Sequence, residues 1–158
     1  MSDNTPARRL ADALRECHQH AHYMRYALTA LAPHLPLTGA RLRALDAEAV
    51  QDLDQFVLRF GKLQDAIGMR LLPAVLAYLQ EPYERRPMLD KLHRLEQLGY
   101  LDDAADWQRL RAIRNQFAHE YPDAPERNAA VLNTAVEAAA ALESILARIE
   151  AGLGAQTP

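Results

Sequence analysis

Apolar residues recur at helical spacing along nearly the whole chain, in segments separated by proline- and glycine-bearing joints. Leu10, Ala13, Leu14, Cys17, Ala21, Met24, Leu28 and Leu31 share one face of a first helix. Pro6 suits its first turn, and it should end near Pro33. The stretch 33–39 reads as a loop, with a short turn over Ala40–Leu45. Asp46 caps a long second helix with a stripe of Val50, Leu53, Phe56, Val57, Phe60, Leu63, Ile67, Leu71 and Val75, reaching Leu79 through a kink at Pro73. A second loop over 81–87 leads into a short third helix from Met88 to Leu98, stopped at Gly99. Asp102, Asp103 or Asp106 caps a fourth helix carrying Trp107, Leu110, Ile113 and Phe117. Pro122 ends it, because the residue before a proline is pushed out of the helical region. Pro125 opens a final alanine-rich helix through Val131, Val136, Leu142, Ile145 and Ile149. No strand pattern and no internal repeat interrupts this series. The expected fold is all-α: an antiparallel bundle of four to five helices, one domain over 1–158, with frayed ends at about 1–5 and 152–158.

Composition narrows the function more than the fold. A net charge of −3 excludes the wholesale basic surface of a nucleic-acid coat, so any RNA contact must come from a local patch. Cys17 is the only cysteine, which rules out an internal disulfide and a thiolate zinc cage and fits a reducing compartment. The N-terminal residues lack the apolar core of a signal peptide, and no apolar run approaches the ~20 residues of a membrane span. A soluble, cytoplasmic protein without membrane association or cofactor is expected.

The chemistry concentrates in Arg114-Asn115-Gln116-Phe117-Ala118-His119-Glu120-Tyr121. Arginine is a permanent cation whose fork of donors fits phosphate oxygens, and histidine moves protons near neutrality. Tyrosine adds a hydroxyl that can bind or be modified. On an ideal helix Arg114 and His119 lie about 140° apart, too wide to meet on one phosphate. Either the last turn before Pro122 leaves α geometry, or two copies pool their residues across a twofold axis; the dimer is favoured. An arbitrary Arg and His at this spacing would ordinarily just solvate an exposed face, so the specificity lies in the whole string.

That string, Arg-Asn-x-x-Ala-His-x-Tyr near the end of a helix, resembles the signature of the HEPN superfamily, and most closely its HepT-like toxins with their Arg-x4-His-x-Tyr pattern. Arg114, His119 and Tyr121 match residue by residue, and Asn115 matches the polar residue that usually follows the arginine. The resemblance covers the helical architecture in outline and about eight residues in detail. It implies a metal-independent endoribonuclease of a toxin–antitoxin system, a homodimer built through the motif helix, with RNA cut in the cleft between protomers. His119 would be the general acid or base, Arg114 would stabilise phosphoryl charge, and Asn115 would orient the site. It further implies a partner, an MNT-type nucleotidyltransferase antitoxin that transfers AMP from ATP onto Tyr121, whose new phosphate would pair with Arg114. The alternative is a non-catalytic HEPN-type helical module that binds a nucleotidyltransferase or a nucleotide.

Three further groups draw notice. Gly61, Lys62 and Asp65 fall opposite the apolar stripe of the second helix, with Gly68 almost on the same line. Since glycine costs about 1 kcal/mol against alanine inside a helix, this face is a candidate for the dimer interface or cleft, with Asp54, Lys62 and Asp65 in support. Cys17-His18-Gln19-His20-Ala21-His22 looks metal-like, but a polar helix surface is the favoured reading. Arg85, Arg86, Lys91 and Arg94 form a modest basic cluster, read as solvated surface.

Overall fold

The computed structural model describes residues 4–117 and 121–154, and every regular element among them is helical. Helix α1 spans Pro6–Leu31. Thr5, expected in a frayed end, is instead its cap, its Oγ1 accepting from the Arg8 N–H at 3.2 Å. A 3₁₀ turn at Ala32–His34 ends α1 where Pro33 was expected to stop it. The short α2 (Gly39–Ala44) follows, capped by Thr38. Asp46 caps α3 (Ala47–Ala66), its Oδ1 accepting from the Ala49 N–H at 2.9 Å.

The kink expected at Pro73 takes the form of a π turn over Ile67–Leu71, after which α4 runs Leu72–Tyr78. Proline has no N–H and its ring presses on the carbonyl one turn back. Widening that turn, so that the Leu72 N–H bonds to Ile67 five residues earlier, accommodates both effects. Helix α5 (Met88–Gln97) stops before Gly99, which sits at φ 87 in the left-handed region. Asp103 is the aspartate that caps α6 (Ala104–Gln116), and Pro125 opens α7 (Pro125–Gly154).

Cross-helix contacts fix the directions. His20 meets Arg59 while Glu16 meets Arg70, so α1 and the α3 rod run antiparallel. His18–Glu150 and Arg25–Glu143 make α1 antiparallel to α7. Asp65 meets Arg114 while Gly68 faces Trp107, so α3 is antiparallel to α6. Phe56, Phe60, Met24, Leu63 and Trp107 are fully buried at the centre.

Two expectations need correction. Gly152 lies within α7, against the Tyr100 ring, so the chain is helical to Gly154 where fraying was expected; residues 155–158 lie outside the described set. The reading that no segment suits a membrane also changes, since α7 is long and apolar enough to cross one by length and composition. Its apolar character serves packing here: Ala135, Ala139, Leu142 and Ile149 are buried in the bundle.

Candidate functional site

Arg114 occupies the last turn of α6, on the flank of the buried Trp107–Leu110–Ile113 stripe. Its Nε and Nη2 donate to the two carboxylate oxygens of Asp65 at 3.2 and 3.1 Å, a bidentate fork from α6 to α3. Asp65 raises the already high pKa of Arg114, so the guanidinium stays charged under all ordinary conditions. The pair is partly exposed, at 35% for Arg114 and 43% for Asp65. Gly61 lies beneath the Arg114 side chain, where a Cβ would stand 3.9 Å from the guanidinium carbon, in ordinary van der Waals contact.

Arg114 and Asp65 border a cavity of about 520 Å³ also lined by Lys62, Arg70, Glu16 and His20, with Leu58 and Phe117 at one side. Thus the structure brings Arg114, Lys62 and Asp65 to one cavity. Glu16, His20 and Arg70 were not anticipated there. Glu16 went unmarked and His20 was read only within the Cys17–His22 stretch, because nothing along the chain shows that α1 packs antiparallel on α3 and brings both to this cavity.

His18, Gln19 and His22 are exposed, as a polar helix surface requires, but His20 is buried and departs from that reading. Arg59 donates to its Nδ1 at 3.0 Å, leaving the proton on Nε2, which faces the Glu16 carboxylate at 3.6 Å. Burial first, and the Arg59 charge second, hold its pKa below the ordinary histidine value. Glu16 also pairs with Arg70. Cys17 is buried as well, and burial pushes its thiol up to about 12, so it is no nucleophile. His18 pairs with Glu150 and His22 packs edge-on against Tyr23. Among the described residues no group of three His, Cys, Asp or Glu is placed to hold a metal.

The motif helix is shorter than expected. α6 ends at Gln116, and the Phe117 N–H turns back to Arg114 in a tightened last turn at 3.2 Å. The Phe117 ring locks this end by packing edge-on against Phe60, with centroids 5.5 Å apart. The even 100° advance therefore does not carry to Tyr121, which lies outside the helix. His119, the expected acid or base, lies outside the described residues, as do Ala118 and Glu120.

Tyr121 is held from α7 instead. Its N–H donates to Asn128 Oδ1 at 3.3 Å and its C=O accepts from Asn128 Nδ2 at 2.9 Å, a two-point clamp on the backbone of one residue. The Arg127 guanidinium lies over its ring, 3.9 Å from the centroid. Asn115 is exposed, and neither its side chain nor that of Asp54 engages a partner among the described residues. Asp54 lines a second cavity of about 380 Å³, separate from Asp65 and Lys62.

Gly61 and Gly68 are buried and both are packed by α6, Gly61 by Arg114 and Gly68 by Trp107, and Gly61 borders the cavity that contains Arg114. In the basic cluster, Arg94 is tied to Glu81 at 2.7 Å and Lys91 lies over Tyr83.

Fold and site together define an all-α helical bundle with a charged cleft where α1, α3 and α6 meet. Compared with known proteins, the chain matches no family model, no curated protein and no solved structure.

Proposed function

We propose that this bundle is a metal-independent endoribonuclease of the HepT-like toxin type, a cytoplasmic homodimer. The observation that carries the reading is the Arg114 guanidinium, held by Asp65 in a cavity with Lys62 and Arg70, five positions before His119 in the sequence. An RNA phosphate entering this cleft meets three cations against two carboxylates. The ribose 2′-oxygen would bond to phosphorus while the bond to the 5′-oxygen breaks. His119 would take the 2′-hydroxyl proton, and a proton returned to the 5′-oxygen would complete the step. Arg114 would hold the phosphoryl oxygens as their charge rises. A twin site across a twofold axis would supply a second His119 as the acid.

Control by a partner nucleotidyltransferase follows from the same string. Tyr121 offers its hydroxyl from a clamped backbone, and attack on the α-phosphorus of ATP would give tyrosyl-AMP and release pyrophosphate. The added phosphate would fill the anion site beside Arg127 or Arg114.

Purified protein incubated with RNA and EDTA should cleave, whereas folded His119→Ala and Arg114→Ala variants should not. Cleavage that persists in His119→Ala sinks the mechanism. Absence of any cleavage by the unmodified dimer, with partner binding retained, establishes the non-catalytic module instead.

A further inference from the structure

The cavity that holds Asp54 is not explained by phosphate chemistry. Its walls are apolar side chains of α2, α3 and α7, including Leu42, Leu53 and Leu132, and its polar groups are Asp54, Gln116 and Asn128. Asn128 is engaged at both its oxygen and its nitrogen by the Tyr121 backbone. Asp54 and Gln116 have no partner among the described residues. At about 380 Å³ it falls within the ~300–1,000 Å³ of small-ligand sites.

Position adds the second observation. Val57, Leu58 and Phe117 border both this cavity and the one containing Arg114, so the two hollows share one ridge. Asp54 and Lys62 stand two helical turns apart on α3, about 12 Å at 1.5 Å per residue. A ligand with an anionic end and a flat, largely apolar body fits this pair of hollows, phosphate on the Arg114 side and ring on the other. A nucleotide has that form.

A bare carboxylate beside a phosphate site weakens polyanion binding unless the ligand gives it donors. Carboxylate oxygens only accept. Guanine presents two adjacent donors on its Watson–Crick edge, N1–H and the exocyclic amine, matching the two oxygens of Asp54 in a bidentate contact. Adenine and cytosine set one donor beside an acceptor nitrogen, and uracil sets one between two carbonyls, so each turns a lone pair toward the carboxylate. The Gln116 amide can donate to the guanine O6.

We propose that this hollow is a nucleobase subsite selecting guanine, with Asp54 and Gln116 as specificity-determining residues. The proposal deepens the ribonuclease reading and rests on it for its biological use. The test titrates GMP, AMP, CMP and UMP into ¹⁵N-labelled protein, following the Gln116 side-chain amide, in the unsubstituted chain and in Asp54→Asn. Asp54 is exposed, and circular dichroism checks that the variant folds.

GMP should bind at least about tenfold more tightly than the others, and Asp54→Asn should abolish that preference while leaving the weak binding common to all four. Equal affinities, or a preference untouched by Asp54→Asn, overturn the proposal. Mapping of RNA cuts separates the two readings. Cleavage without bias toward guanine removes the base subsite and leaves the nuclease standing. A GMP preference that depends on Asp54, in a protein that cuts no RNA, keeps the subsite and removes the nuclease.

Discussion

Gly61→Ala and Gly68→Ala should change stability in opposite directions, although both place a methyl group on the same helical rod. At Gly61 the added Cβ meets the Arg114 side chain no closer than 3.9 Å, ordinary van der Waals contact. At Gly68 it comes within 2.7 Å of Trp107 Cζ2, and Trp107 is only 1% exposed, with no room to retreat. Each substitution gains about 0.5–1 kcal/mol from replacing a helical glycine. That gain is common to both and cancels in the comparison. The difference between the two variants then isolates the steric conflict, about 1–3 kcal/mol for an overpacked core. Gly61→Ala should therefore exceed the unsubstituted protein in stability by up to ~1 kcal/mol. Gly68→Ala should fall below Gly61→Ala by roughly 2–4 °C in Tm per kcal/mol of conflict for a chain of this size. Urea unfolding followed by circular dichroism, with the denaturant slope unchanged, gives the number. Gly68→Ala as stable as Gly61→Ala would show that α6 does not lie against α3 in this register, and would dismantle the Arg114–Asp65 site with it.

Arg114→Lys keeps the charge but loses the fork, so RNA cleavage should drop about 10²–10³-fold, the usual effect of removing one transition-state donor. Stability should move by no more than ~1 kcal/mol because the pair is partly exposed, and unaltered cleavage would count against the arginine's role. His20 gives a pH dependence of definite sign. Its folded pKa lies below the ordinary 6.5, so the unfolded chain binds the proton more readily. Its contribution is fully present above 6.5 and is lost as pH falls from there through the lower folded value. Folded His20→Gln should flatten that slope in urea titrations between neutral and acid pH. Asn128→Ala removes both bonds to the Tyr121 peptide and should cost about 1–2 kcal/mol. Hydrogen exchange at the Tyr121 amide should quicken, and if it does not, the clamp is not what holds the tyrosine.

The bundle was legible because its signals are local. Asp46, Asp103, Gly99 and Pro125 act within a turn of themselves, and the structure places each where its chemistry implies. The cleft was legible only in part, because it is made by pairing. Periodicity marks Arg114 at the edge of a stripe, but nothing along the chain tells which residue 49 positions away will face it. Gly61 and Gly68 show the same limit: their small size announced a close neighbour, and the neighbour is α6 of the same chain. The early end of α6 was missed because Pro122 looked like the stop. The Phe117–Phe60 contact and the Asn128 clamp on Tyr121, both tertiary, accompany an end six residues before that proline.

The exposure of the Arg114–Asp65 pair bears on how such a site can work. A wholly buried guanidinium–carboxylate pair costs about 3–5 kcal/mol when one partner is taken away, and a phosphate would have to overcome that before binding. With 35% and 43% of the two side chains accessible, water screens the attraction, and pairs of this kind are worth about 0–1 kcal/mol. An entering RNA phosphodiester, with the same single charge as a carboxylate and equally suited to the fork, can then displace Asp65 at little expense. Asp65 in turn stays hydrated when released. The carboxylate thus holds the guanidinium in a defined place, through both of its oxygens, without holding it strongly. On this argument Asp65→Ala should weaken the proposed RNA cleavage through a misplaced arginine rather than strengthen it through a freed one, and phosphate binding should become more salt-dependent if Asp65 was competing for the same fork. A faster enzyme in Asp65→Ala would mean that the carboxylate blocks the arginine rather than positioning it.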